Sequence, residues 1–242
     1  MKKVVAIGCS WTYGDELVDP NLVGTDKGFT WATKNDAYRL KHCYAGIVAN
    51  HFDFAFENLG FPGASLESMR WALMWYLQQA EDLKDTIFLV GLTEPNRISW
   101  YNIMHQHNPT DMPWNRHMHS TWLSQRNPDI AQTWYDMHKI WLTHSYTPKW
   151  EKFNIDEAAM LFDYVRLRYG STVMQFLSME NRYAPNVPSV LWAGTSLAQM
   201  LTSKQHELGI NLFAPGGHPN EKGHQEIAKV LINHINSTIL VE

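Results

Sequence analysis

Two residues near opposite ends of the chain have the types and settings that nucleophilic catalysis requires. Ser10 stands just past a short apolar run that ends at Gly8. His218 precedes Pro219, and a proline at the first position of a helix places the imidazole just outside that helix. A serine hydroxyl becomes a useful nucleophile when a neighbouring histidine accepts its proton. Each residue also has an ordinary interpretation, Ser10 as a turn or cap residue and His218 as a surface cap.

The hydrophobic pattern predicts the elements that must bring these residues together. Buried strands are expected at 2–8, 52–58, 86–90 and 187–192, because these short apolar runs end at turn-forming residues. Amphipathic helices are expected at 42–51, 65–80, 156–179, 201–207 and 221–235, and a break near Gly170 is an alternative for the run over 156–179. Alternating strands and helices predict a parallel sheet with right-handed crossovers. We therefore predict one three-layer, flavodoxin-like α/β domain over 1–242, with an aromatic and His-rich insertion or cap at about 95–153.

Composition excludes several classes of protein. The chain has 242 residues, of which 45% are hydrophobic, so it is not intrinsically disordered. Lys and Arg number 20 against 24 Asp and Glu, a balance that argues against nucleic-acid binding. No apolar run is long enough to span a membrane, and the run after Lys3 is too short for a signal peptide. Cys9 and Cys43 fit neither a zinc site nor a disulfide framework. We expect a cytoplasmic protein with two reduced thiols.

Three segments follow predicted strands and therefore lie where open parallel sheets bind ligands. They resemble sequence blocks of the SGNH (GDSL-type) hydrolase family. The first block is the run Ile7-Gly8-Cys9-Ser10-Trp11-Thr12-Tyr13-Gly14-Asp15, the second is Asn58-Leu59-Gly60-Phe61-Pro62-Gly63, and the last is His218-Pro219-Asn220 with Gly223. The resemblance covers about 1–94 and 186–236. Residues 63–65 and 91–93, with Arg97, are most similar to a subgroup encoded by tailed bacteriophages, which would place the protein in the host cytoplasm or the virion.

The resemblance implies a serine esterase or acetyl-hydrolase that needs no cofactor or metal. Ser10 would be the nucleophile and His218 the general base. An oxyanion hole would use backbone N–H groups of Ser10 and Gly63, with Thr93 or Asn96 as a further donor. The implied substrate is a small ester, such as an O-acetyl group of a carbohydrate. Neither a nucleic-acid nor a membrane partner is expected, and the sequence does not determine the oligomeric state.

Two departures from the family pattern bear on activity. The family has Asp three residues before the histidine, where this chain has Pro215, and Asn where this chain has Thr93. Losing the carboxylate costs about 10⁴ in rate in another triad enzyme, and losing an oxyanion donor costs about 10²–10³. The expected substitute is a Ser–His dyad, with a backbone carbonyl near Pro215 or Gly216 accepting from the imidazole. The alternative is a binding or structural module that has lost its chemistry.

Three further features have two interpretations each. Trp11 and Glu94 are candidate substrate contacts, and Glu94 is also a longer-reach carboxylate candidate, although each also suits a structural role. The many tryptophans are typical of a core, and some would also suit a cleft that stacks on sugar rings. Two His-x-His pairs with a nearby aspartate suit a transition metal, or else are polar residues of the insertion. These residues are His105, His107, Asp111, His117 and His119.

Overall fold

The computed structural model describes residues 2–24, 33–80, 82–95, 97, 99–101, 114–116, 139–140, 143–144, 146–181, 183–192 and 195–238. The strands are β1 (Lys3–Gly8), β2 (Ala55–Asn58), β3 (Thr86–Leu92), β4 (Ser99–Tyr101), β5 (Trp114–Arg116) and β6 (Thr172–Leu177). The helices are α1 (Ser10–Tyr13), α2 (Asp36–His42), α3 (Tyr44–His51), α4 (Leu66–Gln79), α5 (Pro148–Tyr169), α6 (Leu197–Leu208) and α7 (Glu221–Thr238). A 3₁₀ turn at Thr33–Asn35 precedes α2.

Four parallel strands form the central sheet in the order β2-β1-β3-β6. Every residue of β3 is buried, as expected for a strand that helices cover on both faces. Gly8 at the end of β1 is paired with Gly91 in β3, so the chain leaves both strands at the same edge of the sheet. This edge is where ligands bind in open parallel sheets.

Helices cover both faces of the sheet, which confirms the predicted three-layer α/β fold. Helix α3 packs on α7 and on strands β1 and β2, whereas α4 packs on α5 and on β1. Helix α4 begins where the sequence predicts, because Ser65 and Ser68 form a reciprocal capping box. Among the described residues, no helix has both the length and the apolar character that a membrane span requires.

The structure differs from the predicted elements in the second half of the chain. The helical run expected over 156–179 ends at Tyr169, because Gly170 adopts a left-handed conformation (φ 66°) and caps α5. The following residues form β6, which takes the position of the fourth strand. The strand expected at 187–192 is reduced to one bridge between Gln175 and Val190. A short apolar run fits a buried helix and a buried strand equally well, so periodicity did not separate them.

Two differences concern segments without a strong pattern. Helix α2 lies in a stretch for which the sequence analysis predicts no element. Helix α5 begins at Pro148, before the expected end of the insertion near 153. Within the insertion, β4 and β5 form an antiparallel pair.

Candidate active site

Ser10 begins the short helix α1, directly beyond the end of β1. A Cβ atom at Gly8 would lie 2.0 Å from Thr12 Oγ1, so glycine at this position allows the helix to fold back on the strand. The helix ends at Gly14, whose φ of 85° favours glycine. The backbone N–H groups of Gly14 and Asp15 both donate to Ser10 O at 3.0 Å. Ser10 is therefore held in a rigid turn, and it is 7% exposed.

The loop that contains Gly63 lies against the same helix. Asn58 Nδ2 donates to Thr12 O at 3.0 Å, and Asn58 Oδ1 accepts from Gly60 N at 2.9 Å. A Cβ at Gly60 would lie 2.8 Å from Tyr13 N, so a larger residue would separate the loop from α1. Gly63 has a φ of 73°, a turn conformation that favours glycine. The side chain of Asn58 thus joins two of the blocks singled out in the sequence.

Thr93 leaves the sheet at the same level as Ser10. Each stands two residues beyond a member of the Gly8–Gly91 pair. Thr93 is 1% exposed, and its hydroxyl has no hydrogen-bond partner in the described part of the chain. The other candidate donor, Asn96, lies outside the described residues. Glu94 forms an ion pair of 2.5 Å with Arg97 Nε.

The loop before α7 holds His218 through its backbone. His218 O accepts from Ala214 N at 2.8 Å, and Gly217 N donates to Ala214 O at 2.9 Å. At the start of α7, Asn220 Oδ1 accepts from Gly223 N at 3.0 Å, which satisfies one of the free N–H groups of the first turn. Short contacts on both sides of His218 therefore leave the loop little freedom.

Two contacts join this loop to the segment that begins with Ser10. The ring centroids of Trp11 and Phe213 are 6.1 Å apart. His218 Nδ1 lies 2.7 Å from Glu16 Oε2. The structure therefore brings together the two segments that carry the predicted nucleophile and base, although more than two hundred residues separate them in the chain.

A carboxylate occupies the position where the sequence analysis expected a backbone carbonyl. Glu16 Oε2 faces His218 Nδ1, and Glu16 Oε1 accepts from Gly216 N at 2.8 Å. Sequence reasoning missed Glu16 because the family block was followed only as far as Asp15. The available signal was an acidic pair directly after Gly14, six residues from the predicted nucleophile. Glu16 has a φ of 65°, an uncommon conformation for a residue other than glycine.

The second ring nitrogen of His218 has a different environment. Asp15 Oδ2 lies 3.9 Å from His218 Nε2, which is too long for a hydrogen bond. Within the described residues, Ser10 Oγ and His218 Nε2 have no hydrogen bond, to each other or to another group. Such contacts are often long in the absence of substrate and shorten when it binds.

Trp11 and the His-x-His pairs are the remaining candidates named in the sequence analysis. Trp11 is 4% exposed and packs near Phe213, so its ring fills space between α1 and the His218 loop rather than facing solvent. The His-x-His pairs and Asp111 lie outside the described residues. The described part of the chain contains no group of three or more His, Cys, Asp or Glu side chains that could hold a metal ion.

Cys9 and Cys43 are free and buried, as the sequence predicts. Burial raises the pKa of the Cys43 thiol to about 11, so this thiol stays protonated and unreactive. Neither cysteine is a candidate nucleophile.

Comparisons with known proteins give a fold but no close relative. No family model and no curated protein matches the chain. A solved carbohydrate esterase, described as having an active site with divergent catalytic and non-catalytic binding functions, matches with a TM-score of 0.50 and 12% identity. The match covers 98% of this chain and 65% of that esterase.

Two further solved structures match over nearly their whole length. One is a member of the lipolytic G-D-S-L family from Veillonella parvula DSM 2008, with 12% identity, 96% and 97% of the two chains covered, and a TM-score of 0.42. The other is the psychrotrophic esterase EstA from Pseudoalteromonas sp., with 11% identity, 98% of each chain covered, and a TM-score of 0.41. This chain is an α/β protein of the three-layer parallel type. Its fold matches that of the solved carbohydrate esterase, in line with the α/β fold that the SGNH-like motifs imply.

Proposed function

We propose that this chain is a serine esterase of the SGNH type. Ser10 Oγ attacks the ester carbonyl carbon while His218 Nε2 accepts the serine proton. The tetrahedral intermediate collapses to an acyl-serine, and His218 returns the proton to the leaving alcohol. Water then attacks the acyl group in the same way and releases the acid. The observation that supports this role for His218 is the position of its loop against the Ser10 segment. In that position a carboxylate holds Nδ1, and Nε2 has no hydrogen bond within the described residues.

The proposed oxyanion hole consists of the backbone N–H groups of Ser10 and Gly63 and the Thr93 hydroxyl. The first N–H groups of a helix have no partner within the helix, which leaves Ser10 N available. The buried Thr93 hydroxyl has no partner among the described residues and would donate where the family has an asparagine amide. Asn96 is the alternative donor. A donor of this kind contributes about 10²–10³ in rate.

We propose a small ester as the substrate, with O-acetyl groups of a carbohydrate as the preferred case. The mechanism uses a hydroxyl, an imidazole and backbone amides, and it requires no cofactor. The support for a carbohydrate is the fold match to the carbohydrate esterase. Acetylated xylan and p-nitrophenyl acetate are therefore suitable first substrates, one polymeric and one small.

Covalent labelling tests the nucleophile directly. We expect a fluorophosphonate to modify the wild-type protein at Ser10, located by mass spectrometry, and Ser10→Ala to abolish both labelling and hydrolysis of p-nitrophenyl acetate. Ser203→Ala is the matched control, because Ser203 is exposed on α6, and it should keep wild-type activity. Labelling at another serine, or equal activity of wild type and Ser10→Ala, would contradict the mechanism.

The second candidate function is a binding module that retains the fold without the chemistry. Two observations favour it: Pro215 replaces the family's aspartate, and Ser10 and His218 make no hydrogen bond to each other. Binding of acetylated xylan by calorimetry, together with no acetate release and no Ser10 labelling, would support this candidate instead of the esterase.

A further inference from the structure

We infer that Glu16 is the carboxylate that positions His218 in this protein, in place of an aspartate three residues before the histidine. The inference rests on the proposed function, because it assigns a role within the same site. Its basis is the 2.7 Å contact between Glu16 Oε2 and His218 Nδ1. A carboxylate at Nδ1 keeps a proton on that nitrogen, so Nε2 presents its lone pair to the serine, and it stabilises the imidazolium that forms when the serine proton is transferred.

The Glu16 carboxylate is held by the His218 loop as well as by the ring. Glu16 Oε1 accepts from Gly216 N at 2.8 Å, and Glu16 Oε2 also lies 3.3 Å from His218 N. A Cβ at Gly216 would lie 2.6 Å from Glu16 Oε2, so the loop can approach the carboxylate this closely only with glycine at 216. The backbone and the imidazole therefore bind the same carboxylate, which fixes the ring relative to the loop that carries it.

The local backbone explains how a carboxylate from this segment reaches the histidine. Gly14 ends α1 in a left-handed conformation, and Glu16 itself has a φ of 65°. These two left-handed residues change the direction of the chain directly after the single turn of helix α1. The proposed nucleophile thus begins α1 and the positioning carboxylate lies three residues beyond its end, so one short helix and the turn after it set their spacing.

The other acidic side chains near the site fit this role less well. Asp15 lies 3.9 Å from Nε2, the nitrogen that must face the serine. Glu94 is paired with Arg97. Pro215 stands at the family position of the aspartate and has no carboxylate. Among the described carboxylates, Glu16 is the one at hydrogen-bond distance from Nδ1.

The kinetic test removes the charge of Glu16 and keeps its shape. We expect Glu16→Gln to lower kcat for p-nitrophenyl acetate by about 10³–10⁴-fold and to change KM by less than about threefold, as in other enzymes that lose the carboxylate of a triad. The matched control is Glu221→Gln, because Glu221 Oε1 makes a similar contact of 3.0 Å with His42 Nδ1. This control should keep wild-type kcat. A Glu16→Gln kcat within threefold of wild type, or an equal loss in Glu221→Gln, would overturn the inference.

A spectroscopic test reads the same contact without any substrate. We expect a slowly exchanging, downfield proton resonance from Nδ1–H of ¹⁵N-labelled His218 in the wild type, absent in Glu16→Gln. A resonance that persists in Glu16→Gln would overturn the inference whatever the activity. A third outcome distinguishes the two proposals. If the wild-type protein shows the Glu16-dependent resonance but neither hydrolyses esters nor is labelled at Ser10, the esterase proposal is wrong and the Glu16–His218 contact is still supported.

A second variant moves the carboxylate without changing Glu16. Gly216→Ala places a methyl group 2.6 Å from the present position of Glu16 Oε2, so the flexible end of the glutamate must shift from that position. We expect at least a tenfold loss of kcat and loss of the Nδ1–H resonance. Full activity of a folded Gly216→Ala protein would contradict the role assigned to the carboxylate.

Discussion

His218 lies three residues before α7 and His224 lies in its first turn, and the two have opposite environments. The His218 side chain is 22% exposed, and its Nδ1 faces the Glu16 carboxylate. His224 is 0% exposed, and its Nδ1 accepts a hydrogen bond from Tyr44 N at 3.1 Å. The first ring lies at the carboxyl edge of the sheet, whereas the second lies between α3 and α7.

The surroundings give the two rings different chemistry. Burial, with a smaller contribution from charge on His218, lowers the pKa of His224 to about 3. The His224 ring is therefore neutral at pH 7, and it satisfies the N–H group at the start of α3. Its place in the chain did not distinguish it from His218, since both belong to the same Pro-, Gly- and His-rich segment. The comparison shows that tertiary contacts, rather than sequence neighbourhood, determine the environment of each histidine: a carboxylate partner for His218 and a buried backbone N–H for His224.

The largest expected effect is on catalytic activity, and it distinguishes His218 from His224. We expect His218→Gln to lower kcat for p-nitrophenyl acetate by about 10⁴-fold or more, because the variant lacks the proposed general base for the serine proton. Its urea unfolding midpoint should stay near that of the wild type, since the ring is partly exposed. The same substitution at His224 should leave kcat within about threefold for the folded protein. Comparable activity of the two variants would remove the distinction.

The next largest expected effect is on stability, and it again distinguishes the two histidines. His224→Ala leaves a cavity between α3 and α7 and leaves Tyr44 N–H buried without its acceptor. We expect the free energy of unfolding to fall by about 2–4 kcal/mol, measured by urea denaturation at pH 7. His218→Ala is the control and should cost less than about 1 kcal/mol. A stable His224→Ala protein would show that the buried hydrogen bond contributes little.

The last effect is spread over several pH units and concerns acid. Below pH 6.5, the ordinary pKa of histidine, the unfolded chain binds a proton at His224, and the folded chain does so only near pH 3. The unfolded state is therefore favoured as the pH falls through this window, by up to about 1.4 kcal/mol per pH unit for this group. We expect the wild type to lose stability between pH 6.5 and pH 4 more steeply than His224→Gln, in parallel urea titrations. Parallel curves would contradict the low pKa.

Part of the fold and of the site was predictable from local pattern. Strand β1 and the start of α4 follow from an apolar run that ends at Gly8 and from the Ser65 cap, both of which act over a few residues. Strand β6 was predicted as helix, because its place in the sheet depends on pairing with β3 and not on its own residues. Ser10 and His218 could be proposed as site residues because each stands next to the end of a recognisable element.

Local sequence pattern accounts for most of the alternation of strands and helices, for the glycines at the turns of Gly8 and Gly60, and for the edge of the sheet where ligands would bind. These features depend on side-chain period and backbone sterics, which act locally. The contact of Glu16 with His218 and the burial of His224 against Tyr44 depend instead on tertiary packing. Both contacts join residues that lie about two hundred positions apart, and the shared sheet and the packing of α7 on α3 bring them within hydrogen-bond distance.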